Sequence, residues 1–288
     1  MKKFLWVLSV AFLLVQMGLN AQENAPKTEY KQEKDLSYYD AAIPDITPYQ
    51  IERCKLDVDY PENGRDLPVI VWFHGGGLTG GNKAIPSGLK EKNYVVIAVN
   101  YRLSPQVKCP TYIEDAAAAV AWTFKHASEY GGNPDKIFIT GHSAGGYLVM
   151  MLGLEKKWLA KYEIDANKLA GIIPFSGQAI THLTIRKERG ISDKQPVVDE
   201  FAPLFHVRAD TPPILLITGD REKEMLGRYD ENAYLQRMLK INGNTKSTLY
   251  ELQGYGHGMV SPGMPLLVEF IKKTLADKAK EAKNETKP

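Results

Sequence analysis

Cysteine is almost absent from this 288-residue chain: Cys54 and Cys109 are the only two, too few for a disulfide-knit scaffold. No cluster of His, Cys and Asp has metal-ligand spacing, so neither a metal nor another cofactor is implied. An excess of charge of one sign is also missing. With 36 basic against 34 acidic residues, nothing pulls the chain toward nucleic acid or anionic lipid. A small or neutral molecule is the expected partner. Long apolar runs are missing except at the start, where Lys2-Lys3 precede an apolar stretch from Phe4 to Val15 and small or polar residues follow from Gln16 to Ala21. That stretch is short for a bilayer span, so residues 1–21 read as a secretory signal peptide cleaved after Ala21. The expected product is exported, periplasmic or extracellular, with no stable membrane anchor after processing. No internal repeat is visible.

What is there begins with residues 22–48, a polar, extended N-terminal arm punctuated by Pro26, Pro44 and Pro48. From 49 to 275, apolar runs of strand length alternate with helical patterns. Cys54 to Val58 alternates inward and outward, while Leu67 to Phe73 and Tyr94 to Asn100 are continuous. Thr111 to Tyr130 reads as a helix opened by the capping box Thr111-Tyr112-Ile113-Glu114 and ended by Gly131-Gly132. Further strands fall at Lys136 to Thr140, Leu169 to Phe175, Pro213 to Thr218 and Thr248 to Leu252, with a helix from Arg228 to Ile241. Residues 276–288 are a charged C-terminal tail, part of a Lys- and Glu-rich stretch from Lys272 that reads as a helix fraying into solvent. The order of elements describes a mostly parallel α/β sheet with helices on both faces and one mixed edge.

Such sheets bind ligands at the C-terminal ends of their strands. Four of those ends carry polar residues: His74-Gly75-Gly76-Gly77, Gly141-His142-Ser143-Ala144-Gly145, Gly219-Asp220-Arg221-Glu222 and Gly256-His257-Gly258. Ser143 stands on a strand-to-helix turn so sharp that a side chain at Gly141 or Gly145 would collide with its neighbours, which makes it a candidate covalent nucleophile. A serine hydroxyl needs a base and a group orienting that base. His257, on a glycine-flanked loop, is the preferred base; His126, His142, His182 and His206 read as surface, packing or structural residues. The orienting acid lies between Glu222 and Asp220. Glu222 is preferred because a carboxylate three residues past Gly219 has loop enough to turn toward the histidine, and Asp220 stays the alternative. Gly76 and Gly77, with the N–H of Ala144, would form an oxyanion hole, and His74 would anchor that loop by hydrogen bonding.

Together these motifs, with Asn100-Tyr101-Arg102-Leu103-Ser104-Pro105 and Glu114-Asp115-Ala116-Ala117-Ala118, resemble the α/β-hydrolases of the hormone-sensitive-lipase-like and bacterial feruloyl or acetylxylan esterase branch, over roughly residues 50–275. The chain order serine, acid, histidine agrees with that fold. The resemblance implies an α/β-hydrolase catalytic domain over 49–275, with the stretch from Gln178 to Asp210 as a short lid. It implies a serine esterase acting on small-molecule or carbohydrate esters, such as acetyl or feruloyl groups on plant polysaccharides. A general short-chain carboxylesterase is the alternative, followed by a peptidase of the same fold and, last, a non-catalytic binding module. Where the family more often carries Asp three residues after the glycine, this chain has Glu222. Two separate buried thiols are the plain reading of Cys54 and Cys109. The resemblance sets the strand starting near Cys54 beside the one ending near Asn100, which leaves a disulfide between them open.

Overall fold

The structure, a computed structural model, describes residues 28–285 apart from 41 and 43. The signal peptide expected at 1–21 lies outside the described residues. In chain order the elements are β1 (Tyr30–Ser37), α1 (Pro48–Arg53), β2 (Lys55–Pro61), β3 (Leu67–Phe73), β4 (Val95–Val99), α2 (Thr111–His126), β5 (Gly132–His142), α3 (Ala144–Leu154), α4 (Lys157–Ala160), β6 (Gly171–Phe175), α5 (Leu183–Glu188), β7 (Ile214–Gly219), α6 (Arg228–Ile241), β8 (Ser247–Leu252) and α7 (Val260–Glu285). All eight strands join one sheet in the order β1-β2-β4-β3-β5-β6-β7-β8. The pairs β1–β2 and β2–β4 are antiparallel; every other neighbouring pair is parallel.

Strands buried on both faces need apolar residues at every position, which is why β3 and β4 read as unbroken runs. Their side chains sort by period two. Val69, Val71 and Phe73 join a core with Ile97, Val99 and residues of α2, α3 and α6, while Ile70, Trp72 and Val96 join one with Met264, Leu267 and Ile271 of α7. Helix α3 has no solvent face: all of Ala144 to Leu154 is buried. The segment from 178 to 201 lies over the C-terminal ends of the strands and is tied down there, while Arg208 further on donates to the Gly153 and Leu154 carbonyls at the far end of α3. Thr184 Oγ1 donates to the Gly77 carbonyl, and Tyr147 Oη of α3 donates to the Phe201 carbonyl at 2.7 Å.

Some expectations are corrected. The arm is part of the sheet, because β1 pairs along β2 and makes itself the edge, so the alternating strand near Cys54 lies one place inward. No capping box opens α2; Pro110 holds the N-cap position without a side-chain cap, and Glu114 pairs with Lys161 instead. The helix expected to lead into the charged tail does so, running as far as Glu285 as the end of α7. Cys54 and Cys109 are both free. β2 does run antiparallel to β4, with Leu56 opposite Val99, yet the chain after Asn100 carries Cys109 away toward α5, where its amide donates to Glu188 Oε2 at 3.0 Å. Cys54 packs near Tyr38 and Asp115, and burial pushes both thiols up to about 12.

The two family-like motifs between β4 and α2 explain each other. Asp115 is fully buried and takes Arg102 as a fork, from Nε at 2.9 Å and from Nη2 at 2.7 Å, while Tyr39 Oη donates to Oδ1 at 2.9 Å. One carboxylate thus joins the arm, the loop after β4 and α2. Removing one partner of a buried pair strands the other, at a cost of about 3–5 kcal/mol. Asp115→Ala is expected to lower the unfolding free energy by about that amount in urea titration, whereas loss of the exposed Lys161–Glu114 pair through Glu114→Ala is expected to cost no more than about 1 kcal/mol.

Candidate active site

The serine sits where the sheet makes its tightest turn. Ser143 has φ 56° and ψ −113°, a conformation that residues with side chains rarely adopt, and its amide is held by the Phe175 carbonyl at 2.7 Å. The flanking glycines make this possible. A Cβ on Gly145 would fall well inside contact distance of the Phe73 carbonyl oxygen, and one on Gly141 would lie 2.7 Å from the Gly145 carbonyl carbon. The first turn of α3 therefore rests directly on the end of β3. Ser143 is nearly buried, and the Ala144 amide is one of those a helix leaves unbonded at its start.

The glycine loop after β3 lies against this turn: a Cβ on Gly75 would meet Ser143 Cβ at 3.4 Å. Gly76 and Gly77 have φ of 108° and 65°, and the Thr79 and Gly80 amides both fold back onto the Gly76 carbonyl at 3.0 Å. His74 anchors the loop, as its position suggests. Its ring stacks on Tyr101 at 4.4 Å, Nδ1 lies 2.6 Å from the Gly75 carbonyl, and Nε2 accepts from Arg53 at 3.1 Å. Burial, reinforced by the Arg53 cation, pushes His74 down to about 4, so the ring is neutral and no proton carrier.

His257 reaches the site on the loop after β8. Its carbonyl accepts from His142 Nε2 at 2.8 Å, and the two rings stand 4.6 Å apart. His142, read as structural, therefore fixes the histidine loop from the position beside the serine. Burial, and then the neighbouring His257, push His142 down to about 4.

The acid is the main correction. Neither Glu222 nor Asp220 meets His257; Glu224 does, with Oε1 2.6 Å from Nδ1 and no exposed side-chain surface. Asp220 spends its carboxylate on backbone, accepting from the Glu222 amide of its own loop at 3.0 Å and from the Gly254 amide of the loop after β8 at 2.8 Å. With the Lys223 and Glu224 amides also folded onto the Asp220 carbonyl at 2.9 and 2.8 Å, the chain makes a helical turn that leaves Glu222 in solvent and brings Glu224 inward. An aspartate that begins a turn is a recognisable signal, and it favours the acid further on.

Glu224 is held at both oxygens. Oε1 also accepts from the Met225 amide at 2.8 Å, and Oε2 from Ser176 Oγ at 2.8 Å and the Gly219 amide at 3.2 Å. Burial alone would push this carboxyl up, but the bonds from His257, Met225 and Ser176 prevail and hold it at about 2. Ser176 is a site residue that the sequence reading missed. It directly follows β6, which is not among the four strand ends whose polar residues stand out in the sequence. Of the remaining histidines, His182 caps α5 by accepting from the Thr184 amide at 3.2 Å, His206 pairs with Glu155, and His126 stacks on Trp122. Among the described residues no group of His, Cys, Asp or Glu could hold a metal ion.

A family model described as BD-FAE matches residues 56–236, well over half of the chain and every site segment but the His257 loop. The chain belongs to the BD-FAE family. Among curated proteins it resembles the "Probable carboxylic ester hydrolase LipM" of Mycobacterium tuberculosis, 31% identical over 203 residues, which are 57% of this chain and 47% of that one. Mouse (Mus musculus) Carboxylesterase 1D is 30% identical over 226 residues, 72% of this chain and 36% of its own length. The BD-FAE chain thus spans about half or less of these relatives. Among solved structures, a truncated form of a carbohydrate esterase from gut microbiota superposes with a TM-score of 0.70 at 20% identity, over 87% of this chain and 98% of that one. Thermogutta terrifontis esterase 2 phosphoramylated by tabun gives 0.65 at 22%, over 86% and 95%. At such identities the likeness is one of fold, and the fold is that of the α/β-hydrolases.

His74 and His142 make the folded state sensitive to acid. Both are held down at about 4 from an ordinary value of 6.5, so between those values the unfolded chain binds more protons and stability falls as pH falls. The melting temperature is expected to drop from pH 7 to pH 5, and to drop less in His74→Gln; an equal drop in both proteins would show that His74 is not a source.

Proposed function

We propose that this chain is a serine carboxylic ester hydrolase that forms an acyl-enzyme on Ser143. The buried Glu224 carboxylate on His257 Nδ1, with the His257 loop bonded to the residue next to a serine in a strained turn, carries this reading. With Nδ1–H directed at Glu224, Nε2 of His257 is free to accept the Ser143 proton as Oγ attacks the ester carbonyl. The developing oxyanion takes hydrogen bonds from the Gly76, Gly77 and Ala144 amides. His257 then gives its proton to the departing alcohol, and water repeats the cycle to release the acid. Glu224 stays ionised throughout and stabilises the imidazolium.

The substrate we favour is a small acyl ester, acetyl or feruloyl, on a plant polysaccharide. Support comes from the family and from the short segment over the site, whose bonds to Gly77 and Tyr147 leave a compact roof. A general short-chain carboxylesterase is the second reading, favoured by the names of the curated relatives. Export through residues 1–21 belongs to the first reading and would bring the enzyme to such polymers. It rests on the sequence of that segment alone; among the described residues no helix is long and apolar enough to cross a membrane.

A fluorophosphonate probe is expected to label the protein and to fail on Ser143→Ala; labelling of that variant would remove Ser143 from the mechanism. Glu224→Gln is expected to lower kcat for p-nitrophenyl acetate by about 100- to 10,000-fold. Glu222→Gln and Asp220→Asn are expected to stay within about tenfold of the parent. A larger loss in either than in Glu224→Gln would return the acid to its earlier position. Products released from acetylated and feruloylated oligosaccharides, measured beside nitrophenyl esters, separate the two substrate readings.

A further inference from the structure

The end of β6 holds a hydroxyl that the proposed reaction does not use. Ser176 is fully buried, and its Oγ lies 2.8 Å from Glu224 Oε2 and 3.0 Å from His257 Nδ1. It has one proton and gives it to the carboxylate, so toward the histidine it can only accept. The Nδ1–H of His257 is then shared between Glu224 Oε1 and Ser176 Oγ, and the three side chains close a ring of hydrogen bonds. We infer that Ser176 is a positioning residue: it fixes the rotation of the Glu224 carboxylate and, through it, the aim of the His257 ring at Ser143. This inference rests on the esterase reading above.

Geometry gives two reasons beyond the need to satisfy a buried hydroxyl. A carboxylate pinned at one oxygen can swivel about its last bond, and Oε2 has only the Gly219 amide at 3.2 Å besides Ser176. Ser176 supplies the shorter of those two bonds and sets the plane in which Oε1 meets the imidazole. The second reason is how firmly Ser176 itself is held. Its φ is 48°, a region suited to glycine, and it is kept there by its amide on the Ile217 carbonyl at 2.7 Å and by Arg228 Nη1 on its own carbonyl. Asn232 Nδ2 holds the next carbonyl, Gly177, at 2.8 Å. Arg228 is itself buried, and its charge faces Glu224 and Glu231. A backbone restrained from three sides presents one hydroxyl at one place.

Ser176→Gly removes the hydroxyl and suits the positive φ, so it separates the hydrogen bond from backbone strain; Ser176→Ala repeats the test with the strain kept. With p-nitrophenyl acetate, Ser176→Gly is expected to lower kcat by about tenfold, in the range seen for groups that orient a reactive histidine, with KM within about twofold of the parent. In a Glu224→Gln background the same change is expected to alter kcat by less than about twofold, because its effect passes through the carboxylate. An equal loss in both backgrounds overturns the inference, as does a fall in melting temperature with kcat unchanged. Ser143→Ala is the control: activity surviving in it defeats the esterase reading, while an inactive Ser143→Ala beside a fully active Ser176→Gly defeats only the role given to Ser176.

Discussion

Contact between two pieces of backbone organises this protein: the first turn of α3 lies directly on the last carbonyls of β3, across Gly145. A single β-carbon there would force helix and strand apart. Because they touch, Ser143 is driven into its unusual turn, the Ala144 amide faces the open end of the sheet, and the glycine loop leaving β3 comes to rest against the serine. Nucleophile and oxyanion donors are thus set by packing of main chain on main chain, which is stiffer than any arrangement of long side chains.

The histidine and its acid are held by different means. Hydrogen bonds do there much of what close packing does on the other side. His142 grips the carbonyl of His257, Asp220 shapes the loop before Glu224, and Glu224 collects donors from four directions. Burial disfavours the charged carboxylate, and only this concentration of donors keeps it ionised. The site therefore has one rigid half and one half made of a polar network.

That division also explains what could be read from the residues. Strands β3 and β4, the elbow and the glycine loop were legible because each leaves a local signature: unbroken apolar runs, and glycines wherever the backbone approaches something closely. His257 was legible from its glycine neighbours and its place after the last strand. Glu224 was not, since the run from Asp220 holds three acids and the one that turns inward depends on a helical turn nucleated by Asp220 itself. Ser176 was hidden for a related reason: a serine after a buried strand looks like any loop residue until its neighbours from β7 and α6 are in place. The unpaired cysteines and the missing cap on α2 belong to the same class, because each depends on where a loop goes and not on what it contains. The arm was misjudged because β1, rich in charge, lacks the apolar alternation of an inner strand.

That charge has a consequence for the protein among its own copies. A sheet this wide ends in strands whose outer hydrogen-bonding groups are free to recruit another chain. On one side the last place is taken by β1, Tyr-Lys-Gln-Glu-Lys-Asp-Leu-Ser, whose register slips between Glu33 and Leu36 and whose Asp35 has φ 56°. A bulged, charged strand is a poor template, since a second copy would have to match the kink and draw charged side chains out of water. β2 behind it, with Leu56 and Val58 fully buried, would be a far better one. The arm that closes the sheet thereby insulates it, and a chain shortened past β1 would present an adhesive border in place of an inert one.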